Sequence, residues 1–147
     1  MKSNPTSIKY IEWKSAEELH ENSLNWISEL KFIKDEQHFL NELLENYMWQ
    51  LISNHTSETS NKVIQELSIL SKKIEPTLKK IIRHQNELLI LTDGLDQIKE
   101  EKKYKTDHRA FAEEVHTYFN NYKDVKRKVF ALIKKGMIQS KQKRLLS

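Results

Sequence analysis

Residues 19–51 read LHENSLNWISELKFIKDEQHFLNELLENYMWQL, and this stretch decides the fold class. Its apolar side chains recur at alternating spacings of four and three residues, which places them on one stripe of an α-helix. Such a stripe, called a seam below, must pack against other helices. The seam of this first helix consists of Leu19, Ser23, Trp26, Leu30, Ile33, Gln37, Leu40, Leu44, Tyr47 and Leu51. Just upstream, Ser15 and Glu18 form an S-x-x-E capping box, which predicts where the helix begins.

The same period continues in a second predicted helix. Its seam is Val63, Leu67, Leu70, Ile74, Thr77, Ile81, His84, Leu88, Leu91, Leu95 and Ile98. Pro76 lacks an amide donor, so we expect a kink or a short break there. Asp93-Gly94 is a possible helix end. We favour continuation through it, because the apolar residues on either side of Gly94 keep the same heptad phase.

A third helix is predicted after a turn at residues 102–106, with Thr106 or Asp107 as its N-cap. Its seam is His108, Phe111, Val115, Tyr118, Tyr122, Val125, Val129 and Leu132, and Gly136 either ends or loosens it. The sequence thus predicts an all-α, elongated antiparallel bundle of three long helices. A true break at Gly94 would instead give four. We expect one domain over residues 1–147, with an N-terminal segment 1–14 and a basic tail 137–147.

The composition supports long helices, since the chain has only 2 Gly and 2 Pro among 147 residues. Cysteine is absent, which excludes disulfides and thiol chemistry. No apolar stretch has the length of a secretory leader or a membrane span, so a cytoplasmic location is the expectation.

Pairs of acidic residues and histidines at i, i+3 raise the possibility of a ferritin-like metal site. The two clearest pairs are Glu17 with His20 and Glu113 with His116. The heptad phase, however, places these side chains on the outer faces of their helices. We therefore expect no metal site, no cofactor, no catalytic residue and no small-molecule substrate, and favour a protein that is not an enzyme. His84 is on the seam instead, and a core histidine bonded to Tyr122 or a backbone carbonyl is the preferred interpretation.

The first helix carries more apolar surface than one seam requires. Phe32, Phe39 and Leu43 form a second line, and Trp49 lies on a further outward position. A helix with two apolar faces must bury both. The second face binds either a protein partner, which includes a second copy of the chain in a homodimer, or the N-terminal segment Ile8–Trp13 folded back on it.

The C-terminal end is strongly basic. Residues 123–147 contain nine Lys or Arg and one Asp, a net charge of +8, so the rest of the chain carries −4 of the overall +4. Lys141, Lys143 and Arg144 lie beyond the seam and are candidates for contacts with nucleic acid or an anionic membrane. The leading functional hypothesis is a helical interaction or scaffold protein. Contact with nucleic acid or membrane through the basic end is the alternative, and a metal-binding bundle ranks last.

Overall fold

The computed structural model describes residues 15–52, 57–93 and 98–146. Three helices pack against each other, and the described residues include no strand. Helix α1 is Ala16–Ile52, α2 is Ser57–Asp93 and α3 is Ile98–Leu146. Side chains are described in residues 15–47, 58–91 and 100–146. The prediction of an all-α three-helix bundle is confirmed.

The start of α1 has the predicted capping box. The Glu18 amide donates to Ser15 Oγ at 3.2 Å, and the Ser15 amide donates to Glu18 Oε1 at 3.1 Å. Two backbone donors that a helix start leaves without intrahelical partners are thereby satisfied. The carboxylates of Glu17 and Glu18 also lie in the first turn, where they complement the helix dipole.

The predicted seams form the buried interior of the helices. Fully or almost fully buried seam residues include Leu30 and Leu40 of α1, Leu67 and Ile81 of α2, and Val115 and Val129 of α3. The polar seam residues Ser23, Gln37, Thr77, His84 and His108 are buried with them. The heptad phase therefore identified the inward face of each helix.

The chain forms two compact units, and all three helices contribute to both. Unit 1 is Met1–Lys31 with Glu75–Thr117, and unit 2 is Phe32–Ile74 with Tyr118–Ser147. In unit 2, α1 and α3 run in the same direction, because Gln37 contacts Tyr118 while Tyr47 lies beside Gly136. Helix α2 runs oppositely to α3, because Leu70 meets Tyr118 while Glu66, earlier on α2, contacts Lys128, later on α3.

The boundary between the second and third helices differs from the prediction. Helix α2 ends at Asp93, and α3 begins at Ile98 and runs antiparallel to it, as the contacts of His84 with His108 and of Lys80 with Glu114 show. A single helix continuing to Ile98 is therefore wrong, while Gly94 itself lies outside the described residues. The turn predicted at residues 102–106 is also wrong, because α3 begins at Ile98 and is helical there. The polar side chains of this stretch interact within the helix. Lys103 Nζ lies 3.0 Å from Asp107 Oδ2, and Thr106 Oγ1 donates to the Lys102 carbonyl.

Two breaks that the sequence left open, at Pro76 and at Gly136, do not occur, while the kink at Pro76 stays a prediction. Helix α2 runs without a break through Pro76, which costs one backbone hydrogen bond in a helix of 37 residues. Burial of Ile74, Leu78 and Ile81 around the proline favours continuation. Helix α3 likewise continues through Gly136 to Leu146, so the basic tail is helical to that residue.

Gly136 has a packing role instead. A Cβ atom placed on it would lie 2.9 Å from Cβ of Tyr47, closer than two such atoms approach. Glycine therefore permits α1 and α3 to come together at this level of unit 2.

Candidate interaction surfaces and a buried histidine pair

The predicted second face of α1 is exposed in unit 2. Phe32 is 60% exposed and Phe39 is 55% exposed, while Leu43 is half-buried. These three residues are called the α1 apolar face. Trp49, the fourth predicted partner-binding residue, belongs to α1, but its side chain lies outside the described part of the chain, as does the N-terminal segment 1–14. The described side chains thus leave two phenylalanine rings in solvent.

Glu36 marks the flank of α1 that faces α3. Lys126 Nζ lies 2.8 and 2.9 Å from the two Glu36 carboxylate oxygens, and the Tyr122 hydroxyl donates to Glu36 Oε1 at 2.7 Å. Burial alone would raise the pKa of Glu36, but the hydrogen bonds from Lys126 and Tyr122 outweigh it and the pKa is lowered. Burial and the Glu36 carboxylate both raise the pKa of Tyr122. This ionic contact joins the two helices.

The contact between Glu36 and Lys126 shows which residues of α3 lie next to the α1 apolar face. Residues three, four and seven positions apart share a helix face. Phe39 and Leu43 follow Glu36 along α1, and Phe130 follows Lys126 along α3, so all three border the same groove between two helices of like direction. Phe130 is 43% exposed, and Met137, seven residues further along α3, is 50% exposed. The apolar surface therefore spans two helices.

Opposite charges flank this groove. On α1, Asp35 and Glu42 lie three residues after Phe32 and Phe39, on the side turned away from Glu36, and both are exposed. These two carboxylates are called the acidic edge. On α3 the outer face carries the exposed cations Lys123, Arg127 and Lys134, called the basic edge. The groove is thus an apolar strip between an acidic edge and a basic edge.

The end of α3 presents the three predicted cations. Lys141, Lys143 and Arg144 are exposed on its last turns. They are accompanied by exposed apolar side chains, and Leu145 and Leu146 are 77% and 89% exposed. No acidic residue follows Asp124 in the sequence. This segment is therefore basic and apolar at once.

Unit 1 contains a buried pair of histidines. His84 Nε2 lies 2.9 Å from His108 Nδ1, and each ring is 1% exposed. Tyr104 stacks on His84 with ring centroids 4.0 Å apart, and Trp26 stacks on His108 at 4.7 Å. The prediction that His84 bonds to Tyr122 is wrong, because Tyr122 donates to Glu36 in unit 2. Early initiation of α3 places Tyr104 and His108 inside a helix, where both are buried.

The hydrogen bonds of the pair set the positions of its protons. His108 Nε2 lies 3.3 Å from Asn22 Oδ1, which can only accept a hydrogen bond. In the neutral ring, Nδ1 of His108 is then the acceptor, and His84 Nε2 donates to it. Nδ1 of His84 has no hydrogen-bond partner among the described residues. Burial lowers the pKa of His84 to about 4, with Asp107 opposing the shift, so His84 is neutral at pH 7.

Other polar groups surround the pair. Gln85 and His20 are hydrogen-bonded to each other through Nε2 and Nδ1. Burial raises the pKa of Tyr104 to about 12, with the neighbouring Ser23 hydroxyl opposing the shift. The two hydroxyl groups do not reach hydrogen-bonding geometry, and neither has another partner within the described residues. The cluster is a buried aromatic and polar layer of unit 1.

The acid–histidine pairs do not converge. Glu17, Glu113 and His116 are exposed, and His20 is half-buried against Gln85. Across residues 15–52, 57–93 and 98–146, no three His, Cys, Asp or Glu side chains are grouped in a way that would hold a metal ion.

An open cavity of about 280 Å³ lies in unit 1, beside Tyr104. Its walls include Ile90 and Leu91, and its polar lining is Glu87, Glu100 and the Lys103–Asp107 ion pair together with Tyr104. In this lining, the Lys103 ammonium group and the Asp107 carboxylate therefore neutralise each other.

No protein-family model, curated protein or solved structure matches this chain. Within its described helices, none is both long enough and apolar enough to cross a membrane. The surfaces and buried groups described above are thus the basis on which a function is proposed.

Sequence reasoning located the α1 apolar face and missed its continuation on α3. Phe130 and Met137 lie at non-seam positions of a helix whose seam was already complete. Their i, i+7 spacing was the available signal. The pairing of His84 with His108 was missed because the third helix was predicted to start too late.

Proposed function

We propose that this protein is a non-enzymatic helical scaffold, active in the cytoplasm, that forms a homodimer through the groove between α1 and α3. The observation that carries the proposal is the exposure of Phe32 and Phe39 between an acidic and a basic edge. Exposed aromatic rings grouped in a polar rim are typical of protein interfaces.

Charge complementarity argues for a second copy as the occupant. A closed dimer uses one surface patch twice, related by a two-fold axis. An axis along the groove would bring α1 of each protomer onto α3 of its partner, at the same level along the helices. The acidic edge, Asp35 and Glu42, would then face the partner's basic edge, while the apolar strips meet at the centre.

The competing axis, across the groove, is disfavoured. It would bring α1 onto α1 and α3 onto α3, so that the two basic edges repel each other. The proposal therefore includes the orientation of the dimer as well as its existence.

The test is a charge-exchange experiment. One variant, Asp35→Lys with Glu42→Lys, makes both edges basic, and a second, Arg127→Glu with Lys134→Glu, makes both edges acidic. We expect each variant alone to be monomeric and an equimolar mixture to form a heterodimer, as measured by light scattering after gel filtration. A wild-type chain that stays monomeric at its highest attainable concentration would overturn the proposal. Two variants that dimerise alone as the wild type does would overturn the assigned surface.

A further inference from the structure

The end of α3 forms a stripe in which cations and apolar side chains alternate. Ile138, Lys141 and Leu145 are all exposed and follow one another at spacings of three and four residues, so they share one helix face. This stripe is called the α3 terminal face. It exists as one surface because α3 continues through Gly136 to Leu146.

We propose that the α3 terminal face binds the surface of an anionic lipid membrane. Lysine ammonium groups pair with anionic headgroups while the lysine stems lie along the apolar boundary. Ile138 and Leu145, 48% and 77% exposed, enter the interface between headgroups and acyl chains. The helix lies on the membrane and does not cross it.

The charges of the segment fit this partner. Lys135, Lys143 and Arg144 add to the cation of the stripe, and no acidic side chain follows Asp124 to repel an anionic surface. Cations in a last helical turn also complement the helix dipole, but that effect does not require exposed apolar residues beside them.

The apolar members favour lipid over nucleic acid. Phosphate groups of a nucleic acid would bind the cations, but Ile138 and Leu145 would remain in water. Bases of a single strand stack on aromatic rings, and residues 131–147 contain none. A membrane alone uses both kinds of side chain on the stripe.

The test is sedimentation of the full chain with vesicles. We expect binding to vesicles of phosphatidylcholine mixed with phosphatidylserine, little binding to phosphatidylcholine alone, and weakening as salt is added. Lys141→Glu with Lys143→Glu should lower the partition coefficient more than tenfold. The matched control, Lys72→Glu with Lys79→Glu, changes the net charge equally on exposed positions of α2 and should reduce binding much less.

A second pair of variants separates lipid from other polyanions. Ile138→Ser with Leu145→Ser keeps every cation and should still lower vesicle binding by tenfold or more, with helix content unchanged by circular dichroism. Serine variants that sediment with vesicles as the wild type does would overturn the proposal. Binding to a labelled oligonucleotide that survives the serine changes, without vesicle binding by the wild type, would assign the cations to nucleic acid instead and also overturn it.

Discussion

His84 Nε2 lies 2.9 Å from His108 Nδ1, in the interior of unit 1 and between the rings of Tyr104 and Trp26. Each ring is enclosed by aromatic neighbours, and Phe111 approaches His84 edge-on. An imidazolium ion at either position would lack water and would meet a second imidazole at hydrogen-bonding distance. The buried site therefore favours two neutral imidazole rings over a charged one. For this reason we expect the stability of unit 1 to depend on pH.

Acidification should destabilise the protein through His84. Burial lowers the pKa of His84 from 6.5 to about 4, so between these values the unfolded chain binds a proton that the folded chain does not. The free energy of unfolding should fall as the pH falls through this window, by at most about 3 kcal/mol, and His84 should contribute no pH dependence above it. Urea unfolding at a series of pH values measures this slope.

The control for this prediction compares the pH dependence of the free energy of unfolding in two variants. His84→Gln should flatten the pH dependence between 4 and 6.5 whatever its absolute stability, while His116→Gln, at an exposed position, should leave it unchanged. Equal slopes in the wild type and His84→Gln would contradict the assignment.

Gly136→Ala should destabilise the protein although alanine favours helices. Alanine would contribute about 1 kcal/mol from helix propensity, but its Cβ would lie 2.9 Å from Cβ of Tyr47. Forcing α1 and α3 apart at this close contact costs on the order of 1–3 kcal/mol. Thermal and urea unfolding measure the difference.

A double-mutant cycle decides whether Tyr47 causes the effect. In a Tyr47→Gly background the opposing Cβ is gone, so Gly136→Ala should become stabilising through helix propensity. The same destabilisation in both backgrounds would show that the contact with Tyr47 is not responsible.

Phe39→Ser should weaken the proposed dimer without unfolding the chain. Its ring is 55% exposed in the described structure and would be buried in both protomers of the dimer. Burial of the exposed half of each ring contributes about 0.8–1.6 kcal/mol, so loss of both rings predicts a dimer dissociation constant higher by roughly one to two orders of magnitude. Ile69→Ser on α2, at 53% exposure in the same unit, should leave the constant unchanged. Sedimentation equilibrium measures both, and equal effects of the two changes would argue against the groove.

Glu36→Gln should lower the stability of unit 2 at pH 7. The change removes the charge that Lys126 and Tyr122 contact and leaves Lys126 half-buried without its counter-ion. Charge-assisted hydrogen bonds of this kind predict a loss of about 1–3 kcal/mol in the free energy of unfolding. Glu45→Gln, at an exposed position of α1, should change it by less than about 0.5 kcal/mol. A loss no larger than that of the control would show that the ionic contact does not stabilise the helix pair.

The sequence determined which face of each helix is buried. Burial of Leu30, Leu67 and Val129 follows from spacing alone, because a helix turns by a constant angle per residue. The start of α1 followed from the local chemistry of Ser15 and Glu18. The sequence also placed Phe32, Phe39 and Leu43 outside the seam, on a second face of α1. That a partner or the N-terminal segment covers this face stays a prediction.

Only the tertiary structure decided which buried and half-buried residues meet. His84 pairs with His108 and Glu36 with Lys126 because of the register between helices, which depends on where α3 begins. A polar run such as residues 102–106 is compatible with a turn or a helix, and burial of Tyr104 selected the helix. Gly136 is likewise compatible, in the sequence, with the end of a helix or with its continuation. The close approach of Tyr47 from another helix explains why a glycine lies inside a continuous helix. Periodicity is a property of one helix, whereas register is set by contacts between residues far apart in the chain, and for that reason sequence alone predicted the first and not the second.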